Sequence, residues 1–478
     1  MVFRRLAKDS AVYGSADLAT KILSFFAFPI IAAALSPKAF GALELIFSLT
    51  ALLGLAMNCG LNNAVQRYYW DKDTTPAMRP AIVSSGFVAQ LVFGMIAIFF
   101  GVAVIPFVLP FTQAADWPLT WIALLAALVV TALSQWLQYA LDVIRLHFAP
   151  WRFMTLALIS RVFTMAFGLV AVVALGLGID GLLTAQALVL MMTVPLAIWF
   201  IRKDFQLKHI EFSQIKELVH FGYPFIFAGI AYWLFGAMDR WMLASMTSVE
   251  QVGIYSVAFR FASAVLFVSA AFGQSWSPVA MKIRKDHPEK YEVIYGQVLL
   301  LLLFTMLAFG GGVALFSGEA ISLIMPKEYH ASALPLAILC FGIILQSTQQ
   351  VTAVGISLEK KTYLFARLAW LTALVNFAAN WLLIPGYGAV GAAWATFISY
   401  VVLTGSYLHY TQRLHPIMVH WSRLVALASL GILVALVSVK TISLQLDWQV
   451  IGWKLALALF CLIVGWNLLP LRSMREVV

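Results

Sequence analysis

Apolar residues run in blocks of about 20 to 28 along nearly the whole chain, separated by short polar segments. A helix of that length crosses a hydrocarbon core of about 30 Å. Fourteen blocks can be drawn, at about 11–35, 42–66, 81–110, 119–142, 152–176, 179–201 and 220–245, then about 252–280, 293–317, 331–355, 362–384, 389–410, 421–440 and 449–469. The pattern predicts an all-α polytopic membrane protein of about 14 transmembrane helices. Pro29, Gly54, Gly168 and Gly229 fall inside blocks, where membrane helices tolerate them better than soluble helices do.

Composition agrees, with 62% hydrophobic and 11% charged residues among 478. Charge then orients the spans. Alternate polar segments, counted from the N-terminus, hold 22 of the 31 Lys and Arg, whereas the opposite ones hold Lys38, Lys327 and Lys440. The positive-inside rule therefore puts both termini in the cytoplasm. The net charge of +10 is mostly this topology signal and gives no argument for nucleic acid. Cys59, Cys340 and Cys461 all lie in apolar blocks and imply no disulfide framework.

The chain contains an internal repeat. Gly176-Leu-Gly178-Ile-Asp-Gly181, between spans 5 and 6, recurs 210 positions later as Gly386-Tyr-Gly388-Ala-Val-Gly391, between spans 11 and 12. Ser36 and Gly41, after span 1, recur 212 positions later as Ser248 and Gly253, after span 7. Two matches at nearly one offset indicate a duplicated block of about six helices. Repeats with an even number of spans share one orientation, so two pseudo-symmetric lobes about an axis along the membrane normal are expected, with a cavity between them. The expected division is an N-lobe at 1–205, a C-lobe at 206–412 and two appended helices at 413–478. Although GxGxxG also occurs in dinucleotide-binding folds, these copies sit in turns between membrane spans, without the strand that motif needs.

Five cations stand inside the spans: Lys21, Arg161, Arg240, Arg260 and Arg367. Each costs about 2.5 to 3.5 kcal/mol in hydrocarbon, so each needs water, an acidic partner or an anionic cargo. Arg161 lies near the middle of span 5, and its repeat position, Leu371, is one turn from Arg367. Arg260 shares a helix face with Ser263 and Gln274. Lys21 follows Asp17 by one turn, which permits either a local ion pair or a pairing relieved by water, with Asp17 then available to couple an ion. Arg240, beside Asp239 near a span end, and Lys454 are expected to be interfacial anchors.

Amides accompany the cations in stripes on single helix faces: Asn63, Gln66 and Arg67 on span 2, Gln135, Gln138 and Asp142 on span 4, and Gln346, Gln349 and Gln350 on span 10. Such groups either join helices by hydrogen bonds or line a passage for hydroxyl-rich cargo. The eight histidines form no cluster at metal-ligand spacing, so neither a metal nor a cofactor is expected. Asp71-Lys-Asp73 resembles a glycosyltransferase pair, but it sits in a short basic loop. The longest outward segment, about Ser317 to Ala331, leaves little room for a catalytic domain. A transporter is expected rather than an enzyme.

Several segments together carry a family likeness: Ala11-Val-Tyr-Gly14 with Lys21, Leu35-Ser-Pro-Lys-Ala-Phe-Gly41, Phe221-Gly-Tyr-Pro224 with Asp239-Arg240, Gly253-Ile-Tyr-Ser256, and the two Gly-rich turns. In order and spacing the chain resembles the polysaccharide-unit (Wzx-type) flippases of the multidrug/oligosaccharidyl-lipid/polysaccharide exporter superfamily. That resemblance implies transfer of an undecaprenyl-pyrophosphate-linked oligosaccharide, such as an O-antigen repeat unit, from the inner to the outer leaflet by alternating access. Lys21, Arg161, Arg260 and Arg367 would form its cationic substrate-binding cavity, since Arg holds phosphate through two parallel hydrogen bonds. The implied partners are the lipid-linked oligosaccharide, the bilayer, and a polysaccharide polymerase with its chain-length machinery, the chain itself acting as a monomer. A lipid II flippase, a multidrug antiporter of the same superfamily and a membrane glycan polymerase remain as alternatives.

Overall fold

A computed structural model describes residues 2–469 apart from 115, 207, 209, 360 and 362, and within its helices it leaves out the side chains of residues 2–13, 16, 17, 111, 114, 228 and 277. Every regular element among the described residues is helical. In chain order these are α1 Val2–Ala34, α2 Pro37–Asn58, α3 Leu61–Tyr69, α4 Arg79–Ala114, α5 Trp121–Leu146, α6 Pro150–Leu169, α7 Gly178–Ile201, α8 Phe212–Gly222, α9 Pro224–Met246 and α10 Val249–Ala262. The rest are α11 Ala264–Asp286, α12 Tyr291–Leu315, α13 Ser317–Ile324, α14 Ala333–Ser347, α15 Gln349–Thr352, α16 Val354–Leu358, α17 Tyr363–Leu414, α18 Trp421–Lys440 and α19 Trp448–Leu468.

Twelve helical stretches among the described residues are long and apolar enough to cross a membrane. One of them, α17, is two helices meeting at Gly388, whose φ of 54° breaks the helix, and Leu18–Ala34 of α1 adds a shorter apolar segment. Counted this way, the fourteen expected spans all have a helical counterpart. Large apolar side chains such as Phe99, Phe107, Met192 and Leu382 stand outward, as lipid permits and water would not.

Several spans are less regular than their sequences imply. Span 2 breaks at Cys59 and Gly60, both in the left-handed region with φ of 47° and 69°. Span 8 breaks at Ser263, which places Arg260 and Gln274 on different helices, α10 and α11. Span 10 is divided among α14, α15 and α16. The segment after α12, expected to be a loop, folds into α13 and a 3-10 turn at Lys327–Ser332, with Ser317, Glu319 and Tyr329 buried.

The repeat is visible in local geometry. Ser36 caps α2 by accepting from the Ala39 N–H at 3.2 Å, and its repeat position Ser248 caps α10 by accepting from the Gln251 N–H at 3.3 Å. Gly178 and its repeat position Gly388 both take positive φ, 57° and 54°. A side chain is disfavoured there in either copy.

The chain divides into two compact units, Met1–Ala237 and Met238–Val478, so the division falls inside α9 and not at the expected 205/206. The reason lies in what the intervening residues touch. α8 packs on α3 and α4, Gly229 of α9 faces Leu55, and the Trp233 indole donates to the Ser48 carbonyl at 2.6 Å. In the first unit the core gathers around Tyr139, whose buried hydroxyl donates to the Val83 carbonyl at 2.7 Å. In the second unit α14 is buried along most of its length and packs on α10, α12, α17 and α18.

The appended helices are tied in by charge. Lys454 of α19 has no exposed surface, and its ammonium donates to Glu319 Oε1 of α13 at 2.6 Å. An interfacial anchor was expected at this position. The structure shows instead a buried ion pair, which Lys454 finds because α13 turns a carboxylate inward where the sequence reads as loop.

Two stability changes follow. A Cβ at Gly60 would stand 2.3 Å from the Gly222 carbonyl oxygen, and Gly60 already has φ of 69°. Gly60→Ala therefore combines about 1 to 2 kcal/mol of left-handed strain with about 1 to 3 kcal/mol of overpacking, and the detergent-solubilised protein should melt well below wild type. Lys454→Ala leaves Glu319 buried without its ammonium partner and should cost about 3 to 5 kcal/mol. The double change Lys454→Met with Glu319→Leu should recover most of that loss in the same melting assay.

Candidate functional site

In the first unit Arg161 is held by Ser24, a hydroxyl inside an apolar run of α1. Ser24, on α1, donates its hydroxyl to the Thr20 carbonyl at 2.6 Å, which leaves its oxygen free to accept. Arg161, on α6, donates to that oxygen from Nε at 2.9 Å and from a terminal nitrogen at 2.6 Å. Lys21 lies one turn before Ser24 on the same helical face, and both cations are exposed. A hydroxyl positions the guanidinium without cancelling its charge. Asp17 belongs to α1, but its side chain lies outside the described residues.

In the second unit Arg260 closes the last turn of α10 half-buried, and its carbonyl accepts from Ser263 Oγ at 2.6 Å. Arg367 is exposed on α17, with its guanidinium carbon 4.9 Å from the centre of the Tyr363 ring one turn away. Each unit thus carries two of the four expected site cations.

The amide stripes divide between two duties. Asn58 donates to Gln135 Oε1 at 3.4 Å, and the Gln135 amide fills the space that Gly54 leaves open, joining α2 to α5. Gln138 donates to Asp142 Oδ1 at 3.0 Å. On α3, Asn63 and Arg67 are exposed and Gln66 is half-buried, while the neighbouring Asn62 is buried and donates to Asp142 Oδ2 at 2.6 Å. The break at Cys59 and Gly60 rotates α3, so the residue facing the core is one position from the predicted stripe. On the other unit Gln349 donates to Thr404 Oγ1 at 3.0 Å, the Gln350 carbonyl accepts from the Trp276 indole at 3.1 Å, and Gln346 is half-buried.

Arg240 also differs from expectation. It is only 9% exposed, lies 3.6 Å from Asp239 Oδ1, and has Phe259 beneath its guanidinium with 5.3 Å to the ring centre. Asp239 in turn accepts from the Tyr255 hydroxyl, which lies 3.1 Å from Thr396 Oγ1. Nearby on α17, Asn380 donates to Asn376 Oδ1 at 3.0 Å and Asn376 donates to Ser399 Oγ at 3.1 Å. This buried polar core is internal to the second unit, and its carboxylate is what allows Arg240 to sit inside. Among the described residues no group of three His, Cys, Asp or Glu is placed to hold a metal ion.

Removing that carboxylate tests the arrangement. Asp239→Ala should cost about 3 to 5 kcal/mol by leaving the Arg240 charge buried without it. Asp239→Asn, which keeps the side-chain shape and one of the two acceptor oxygens but loses the charge, should fall between Ala and wild type in thermal melting.

Comparisons with known proteins agree with this architecture. The sequence profile of the polysaccharide biosynthesis protein family matches residues 6–284, and that of the MatE family matches residues 224–382. A probable low-salt glycan biosynthesis flippase, Agl15 of Haloferax volcanii, is 25% identical over 249 residues, 52% of each chain. The capsular polysaccharide biosynthesis protein CapF of Staphylococcus aureus is 25% identical over 225 residues, 45% of this chain and 56% of CapF. The chain thus spans about half the length of the curated relatives it matches. Among solved structures, the lipid II flippase MurJ in an inward closed conformation superposes with a TM-score of 0.73 at 14% identity, covering 96% of this chain and 98% of MurJ. An inward-facing multidrug MATE transporter of the MOP superfamily gives 0.63 at 14% identity over 85% and 95% of the two chains. These likenesses establish the fold. Because the first profile alone covers more than half of the 478 residues, this multi-pass membrane chain belongs to the polysaccharide biosynthesis protein family of the MOP exporter superfamily.

Proposed function

We propose that this protein is a flippase that carries a lipid-linked oligosaccharide, a polysaccharide or O-antigen repeat unit on an undecaprenyl pyrophosphate, across the inner membrane by alternating access. The observation that carries this reading is the exposure of two mid-span cations in the first unit, Lys21 on α1 and Arg161 on α6, the latter held by Ser24. Facing lipid, each would cost about 2.5 to 3.5 kcal/mol, so this face is one that water or an anionic group reaches. A pyrophosphate matches it chemically, since a guanidinium binds phosphate oxygens in pairs and a nearby ammonium adds charge.

Arg260 and Arg367 add two further cations within the second unit. Transport moves the cargo without changing a covalent bond, so no enzymatic step is assigned. The basic segments face the cytoplasm in this reading, and both termini lie there. Family membership and the names of the glycan-related relatives support a glycan cargo. The exposure of Arg and Lys, where an organic-cation carrier would need carboxylates, weighs against a multidrug antiporter.

Loss of the gene should leave lipid-linked repeat units on the cytoplasmic leaflet, measured by leaflet-resolved lipid analysis. Unchanged glycan together with new sensitivity to cationic drugs would contradict the proposal. Arg161→Ala combined with Arg260→Ala should lower export at least tenfold at an unchanged membrane level of protein, a loss of about 1.4 kcal/mol or more in cargo binding. Ser24→Ala should give a smaller loss, because it frees the Arg161 guanidinium without removing its charge.

A further inference from the structure

One contact recurs in both units with its partners exchanged. In the first unit His147, just after α5, places Nε2 3.0 Å from Asp204 Oδ1, just after α7, and 3.1 Å from the Tyr69 hydroxyl at the end of α3. The His147 and Tyr69 rings meet edge to face, with centroids 6.0 Å apart at 81°. Arg79, the first residue of α4, sets its guanidinium carbon 4.8 Å from the centre of the Tyr69 ring.

In the second unit Glu359, just after α16, places Oε1 2.7 Å from Nε2 of His415, just after α17. The His415 ring meets Tyr291, the first residue of α12, with centroids 6.4 Å apart at 72°. Arg284, in the last turn of α11, has its guanidinium carbon 6.0 Å from the centre of the Tyr291 ring.

The register of the repeat relates the two sets. Ser36 and Ser248, which cap the same helix in the two copies, are 212 positions apart, and the left-handed Gly178 and Gly388 are 210 apart. His147 and Glu359 are 212 apart, and Asp204 and His415 are 211 apart. The histidine position of one copy is therefore the carboxylate position of the other, in both directions. Tyrosine and arginine are exchanged too: the first unit takes Tyr from the helix before the α3–α4 junction and Arg from the helix after it, and the second unit takes Arg before and Tyr after the α11–α12 junction.

A solvated histidine–carboxylate contact alone is a weak constraint, and these are only partly buried, with side-chain exposures of 33% and 20% in one pair and 12% and 38% in the other. What the two copies share is the contact, although neither shares the residues that make it. A contact that survives reversal of both partners is one whose geometry matters more than its chemistry at either position. We propose that the two clusters are one inherited brace, Arg–Tyr–His–carboxylate, that fastens the basic ends of α5 and α7 in the first unit and of α16 and α17 in the second, so that each unit moves as a rigid body during transport.

The test uses the reversal that the protein already contains. In the full-length protein, His147→Glu and Asp204→His are made singly and together, the double variant reproducing in the first unit the order found in the second. Glu359→His and His415→Asp do the reverse. Each single change opposes like groups, and should lower the melting midpoint in detergent and cut glycan export by about three- to fivefold at matched protein level. Each double change should restore both readouts. Single variants that match wild type in both readouts would overturn the brace, and so would double variants that fail to accumulate or to recover the midpoint. Recovery of the midpoint without recovery of export, in a background where the wild type exports, would overturn its part in transport. The export arm rests on the flippase reading. If the wild type moves no glycan, that reading fails and the melting arm alone decides the brace.

Discussion

In hydrocarbon a polar group finds its partner within the chain or not at all, and this requirement shapes both units. It explains why Lys454 reaches Glu319, why Asn62 and Gln138 both donate to Asp142, and why Arg240 sits against Asp239, whose other oxygen accepts from Tyr255. Each is a local settlement of charge or hydrogen bonding between helices that are otherwise apolar. Against that background Arg161 differs in its visible contact, because the group that orients it, Ser24, is a neutral hydroxyl. The chain satisfies these polar groups where they hold helices together, while Lys21 and Arg161 remain exposed.

Duplication supplies the second organising fact. Serine caps and left-handed glycines keep their residue type in the two copies because the backbone geometry they serve admits few substitutes: a hydroxyl for an orphan helix N–H, no Cβ where φ is positive. Paired side chains are under a looser rule. A histidine and a carboxylate can trade places, since the distance between their helices is met by either order. The structure contains both outcomes, identity at the caps and glycines and exchange at the His–carboxylate contacts.

Block length and hydropathy made the fourteen spans legible, and the glycine and serine spacings made the repeat legible, because both depend on local chemistry. Facing was much harder to read. The break before α3 falls at Cys59 and Gly60, and only the glycine carries a turn signal, so the stripe through Asn63 was drawn where Asn62 faces the core. Ser263 gave no sign that it ends α10, and Arg260 was therefore aligned with Gln274 across a discontinuity. Arg240 and Lys454 were assigned by depth along a span, yet depth does not say whether a carboxylate waits on a neighbouring helix. Of the site, the cations were legible as costly charges, while Ser24 was not, since one hydroxyl in an apolar run is common and only tertiary packing aims Arg161 at it.

The Gly388 turn makes the length of α17 intolerant of change. Two apolar helices, together 52 residues, meet at a single left-handed residue whose successor donates its N–H to Gln251 Oε1 at 3.0 Å. With no loop between the helices, a residue inserted beside Gly388 has no slack to absorb it, and it would shift both the left-handed position and the N–H that Gln251 accepts.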